Sequence, residues 1–68
     1  MYSSKNFREY LNSLMNHMVK VTFFTASTRS FLVGKLTHVG EDFIFIENPD
    51  QPKTALLIDF IIMIEESN

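Results

Sequence analysis

His17 and His38 are the only imidazoles in this 68-residue chain, and cysteine is absent. A metal centre takes three or four ligands at set spacings. Neither histidine has a second imidazole or a thiol at such a spacing, so no metal site is expected. Glu41 and Asp42 are adjacent and therefore point in different directions, in a turn-like stretch where carboxylates are ordinary. They do not make the facing pair that acid–base catalysis requires. Thr25, Ser27, Thr28 and Ser30 supply hydroxyls, but no glycine-rich phosphate cradle surrounds them and no base stands nearby in sequence to activate them. What the side chains do offer is recognition. Lys20, Phe24 and Arg29, with Lys35 further along, have the chemistry of a basic and aromatic contact patch for single-stranded nucleic acid or an acidic protein. The chain reads as non-enzymatic and free of cofactors.

Positioning such residues requires a fold, and at this length the fold is marginal. One domain of this size buries only about 60% of the surface its unfolded chain exposes. Without cysteine there is no disulfide to compensate, which leaves oligomerisation as the expected source of stability. The first residues, Met1 to Asn6, lack the apolar core of a signal peptide, so a cytoplasmic location is expected. The longest apolar run is shorter than the ~20 residues of a membrane-spanning helix and contains Asp59, so no membrane span is expected. The formal net charge is −2, but it is unevenly spread. Residues 1 to 40 sum to +4 and residues 41 to 68 to −6. Complementary potentials of this kind can orient neighbouring subunits, or can simply solvate opposite faces of one small domain.

Phe7, Tyr10, Leu11, Leu14, Met15 and Met18 fall on the stripe of an amphipathic helix, predicted over about 4–17. Asn6 and Glu9 have capping-box spacing, with Ser3 or Ser4 as alternative caps. From Met18 the period changes to two: Val19, Val21 and Phe23 alternate with Lys20, Thr22 and Phe24, a strand with one face inside. A polar loop, Thr25 to Ser30, leads to a longer strand, Phe31 to Val39. Its Gly34 is expected where the backbone bends or another backbone approaches closely. Gly40 to Asp42 turns into Phe43–Glu47, and Asn48 to Pro52 forms a proline-bounded loop.

Thr54 to Ile64 is a nearly unbroken apolar run, rich in β-branched residues, which predicts one bent strand or two short ones with the bend at Asp59-Phe60. No lysine, proline or bulge is foreseen between Phe60 and Ile64, so this edge should pair with something, most simply another copy. Phe60, Ile62 and Ile64 are the expected oligomer interface.

In its spacing the chain resembles the Sm-like proteins. Val19 to Asn48 is similar to their first motif, through Val19, Val21, Phe23, the Leu32-Val33-Gly34-Lys35-Leu36 segment and Val39. Leu56 to Ile64 is similar to the second. In length and rhythm the chain also resembles small Sm-like proteins of spore-forming Firmicutes. The resemblance implies a single Sm-like domain over 1–68: an N-terminal helix, then a five-stranded, strongly bent antiparallel Sm-like or SH3-like barrel over about 18–65. It also implies a ring in which the fourth strand of one subunit pairs with the fifth of the next. The base-contacting positions depart from the family. Gly40 stands where an Asp is usual, Ile44 where an Asn is usual, and Leu57-Ile58-Asp59 where the second motif carries Arg-Gly. Ile44 and Ile58 cannot hydrogen-bond a base edge, and Asp59 repels phosphate. The expected function is a homo-oligomeric module for protein binding or scaffolding. The alternative is a divergent RNA-binding ring using Lys20, Phe24, Arg29 and Lys35.

Overall fold

The computed structural model describes residues 4–67. Helix α1 (Ser4–Ser13) is followed by strands β1 (Met18–Thr25), β2 (Thr28–Val39), β3 (Phe43–Asn48) and β4 (Gln51–Leu57). A 3-10 turn over Ile58–Phe60 then leads into β5 (Ile61–Glu66). All pairings are antiparallel, in one sheet of order β4-β3-β2-β1-β5. The protein is mainly β, as expected, but the sheet is not closed into a barrel. β4 and β5 are its two edges and do not pair with each other.

The helix is shorter than its apolar stripe. It ends at Ser13 because the chain turns tightly through Leu14-Met15 and the next residue, Asn16, adopts φ 67°. Asparagine tolerates that left-handed conformation better than most residues. The turn is then tied to the sheet: Asn16 N donates to Leu36 O at 2.7 Å, and Leu36 N donates to His17 O at 3.0 Å. Asn6 lies inside the helix and is not its cap. The alternative cap at Ser3 lies outside the described residues. Leu11 of α1 and Leu14 of the turn after it are buried, with Phe7 and Met15 packed alongside. Tyr10 and Met18, which share the stripe by spacing, are largely exposed.

The alternation in β1 is realised over Met18 to Val21, with Val19 and Val21 fully buried beside Leu36, Ile44 and Ile46 from β2 and β3, but Thr22 is also buried and Phe23 only half-buried. Leu56 and Ile64 complete one core under the helix. The stretch expected as a loop from Thr25 to Ser30 is instead a two-residue hairpin. Thr25 pairs with Thr28, and Ala26 and Ser27 take φ 47° and 69°. Two successive positive φ values are those of a type I′ turn, whose twist matches the strands it joins. The second loop is also tighter than its prolines suggest. Asn48 pairs with Gln51, so Pro49-Asp50 is the turn and Pro52 lies in β4, on an edge where its missing N–H is tolerated.

Of the two reasons expected for Gly34, a bend at a barrel corner or a close approach, the structure shows the close approach. A Cβ there would lie 2.6 Å from Ile46 Cγ2 and 2.8 Å from the Glu47 carbonyl oxygen. Only a residue without a side chain lets β3 fold this tightly over β2. Register shifts at Thr22/Phe23, Leu36/His38 and Ile46/Asn48 add further bends.

Candidate functional site

The two sheet edges carry the features that the sequence assigned to assembly, with corrections. Ser67 N donates to Met18 O at 2.8 Å, so alternation along β1–β5 makes Val21 and Ile64 a non-hydrogen-bonded pair. The backbone N–H and C=O of Ile64 therefore face the open side of β5. Tyr10 Oη donates to that carbonyl at 3.3 Å, a long contact that covers one point of the edge. On the opposite edge, Ile58 N donates to Asp42 O at 2.8 Å. By the same alternation, the backbones of Leu57 and Ala55 face outward from β4.

Of the three residues expected at the interface, the structure leaves one, Ile62, both exposed and within an edge strand. Ile62 is 47% exposed and lies at a bulge, since Thr22 pairs with Met63 while Phe23 pairs with Ile61. That bulge was not foreseen, and it breaks the face that Phe60, Ile62 and Ile64 would otherwise share. Ile64 is only 6% exposed and packs in the protomer's own core. Phe60 is exposed but belongs to the 3-10 turn, so it cannot pair as a strand residue. The sequence bend at Asp59-Phe60 is realised by that turn. Leu57 and Met63, both about half exposed beside the edges, were missed. They lay within an apolar run whose inward and outward members cannot be told apart until the register is known.

The four residues singled out for basic or aromatic contact come together on one side of the hairpin. Phe24 faces Arg29 across the strands, and Lys35 faces Met18, with Lys20 on the same side of β1. Phe31 joins them opposite Thr22 and is, among the described residues, the most exposed of the large apolar side chains, at 65%. Lys20 Nζ sits 4.9 Å from its ring centroid, a cation–π contact. Phe31 was missed because a six-residue loop would have left its register undefined. Glu65 of β5 lies directly across from Lys20 and tempers the positive charge of this face.

The two histidines have separate surroundings. His17 Nδ1 lies 2.8 Å from Glu66 Oε2, both side chains about half exposed, which ties the start of β1 to the end of β5. The His38 ring stacks beside Phe43 and Phe45, at centroid distances of 5.8 and 5.5 Å.

A cleft of about 450 Å³ lies between α1, the β2–β3 turn and the 3-10 turn. Phe7, Leu57, Ile58 and Phe60 give it apolar walls, and Glu41, Asp42 and Asp59 stand around it. Arg8 also lines it, donating to the carbonyls of Gly40 at 2.6 Å and Glu41 at 2.7 Å. These bonds clamp the helix onto the β2–β3 turn. No protein-family model matches the chain, and no curated protein or solved structure matches it either.

Proposed function

We propose that this protein is a non-enzymatic, self-associating module of Sm-like type that works in protein binding or scaffolding. The observation carrying this reading is the pair of unpaired, apolar-flanked sheet edges at β4 and β5. An exposed edge of this kind is a template for strand addition, and natural chains cover it. Pairing β4 of one copy with β5 of the next would use both edges at once, and repeating that contact closes an assembly. Tyr10 holds Ile64 O through a single long hydrogen bond, which an incoming strand can replace.

Sedimentation or light scattering tests this directly. The protein should run well above its 7.9 kDa chain mass at micromolar concentration. Ile62→Lys, which places a charge at the half-exposed bulge, should lower that mass by removing the edge contact. A lone wild-type protomer over the accessible concentration range would overturn the reading.

A further inference from the structure

Two surfaces of the chain carry opposite charge and exposed apolar side chains, and the protomer does not match them to each other. One is the basic side of the β1–β2 hairpin. Phe24 is 50% exposed opposite Arg29, and Phe31 lies one step along with Lys20 against its ring. The other is the cleft beside α1, with Glu41, Asp42 and Asp59 around apolar walls that include Phe60. Arg8 directs its two hydrogen bonds at backbone carbonyls, and three carboxylates outnumber it. The ion pairs among the described residues are His17–Glu66 and Lys53–Glu47. Lys20, Arg29, Glu41, Asp42 and Asp59 take part in neither.

We propose that the hairpin of one copy docks in the cleft of a second copy, with the Phe24 ring against the apolar walls and Arg29 facing the carboxylates. Aromatic side chains supply much of the burial energy at protein interfaces, and a paired guanidinium fixes orientation. The chemistry of each surface is the complement of the other, and every copy carries both. A nucleic acid fits the hairpin less well. Glu65 sits directly across from Lys20, and the chain as a whole is negative, so few phosphate counterions would be displaced. This contact rests on the self-association reading but is made by side chains that, apart from Leu57, lie off the backbone edges, so the two can fail separately.

The test is sedimentation velocity on the full chain at low and high salt, comparing wild type, Arg29→Glu, Asp59→Lys and an equimolar mixture of the two variants. All altered positions are exposed, and circular dichroism should confirm an unchanged fold. Each single variant should weaken association about tenfold or more, and high salt should weaken the wild type. The mixture should recover association, since the carboxylate placed on one variant's hairpin then meets the ammonium placed in the other's cleft. If Ile62→Lys stays assembled while both charge variants dissociate, the hairpin contact stands and the edge contact falls. If both charge variants keep the wild-type mass, the hairpin contact is overturned, whatever Ile62→Lys does. Retardation of single-stranded RNA that Arg29→Glu abolishes, with the mass of Asp59→Lys unchanged, would also overturn it and give the hairpin to nucleic acid.

Discussion

Thr37 carries a buried hydroxyl oxygen with no hydrogen-bond partner among the described residues. It is the residue passed over at the β2 register shift, where Leu36 pairs with Ile46 and His38 with Phe45. An unmade hydrogen bond in a buried site costs about 1–3 kcal/mol, so Thr37→Val, which keeps the shape and removes the oxygen, should raise stability by about 1 kcal/mol. A urea titration with an unchanged slope and a higher midpoint would show this. A lower midpoint would mean that the hydroxyl is satisfied in solution. At this scale the sequence was informative where a residue type has one use. Gly34 announced either a bend or a close approach, and the structure places Ile46 and Glu47 against it. Ile64 could not announce its place, because isoleucine serves equally in a core and in an interface. Only the pairing with Val21 put it inside.

At the scale of elements, the β1–β2 hairpin shows where local reading falls short. Thr25-Ala26-Ser27-Thr28 contains none of the Asn-Gly or Gly-Gly pairs that usually mark a two-residue turn, so the stretch reads as a loop. The strands on either side impose the turn, and Ala26 and Ser27 are held at positive φ by tertiary pairing. Residues held there without glycine cost about 1–3 kcal/mol each. Replacing the pair by Asn-Gly should therefore raise the thermal midpoint, with a gain of about 1–2 kcal/mol. A fall would contradict the type I′ geometry. The tight turn also sets the register that puts Phe24, Arg29, Lys20, Phe31 and Lys35 on one side of the sheet, so the candidate contact surface depends on a turn that the sequence did not reveal.

At the scale of the whole molecule, stability and assembly should be linked. A ligand that binds only the folded state raises its apparent stability, and here the ligand is another copy. The thermal midpoint of wild type should therefore rise with protein concentration, and that of Ile62→Lys should rise less. Equal concentration independence in both would show that the sheet edges are left open in solution. The periodicities of two and 3.6 were enough to establish a helix followed by strands, a core that includes Val19 and Val21, and an apolar tail that must be strand, because alternation and burial are local consequences of residue type. Tertiary structure alone decided that the sheet stays open with β4 and β5 as edges, that a bulge at Ile62 divides the tail into core and exposed parts, and that a basic hairpin and an acidic cleft face solvent. Those outcomes depend on register and on which strand lies beside which, and the contacts that fix them join residues far apart in the chain.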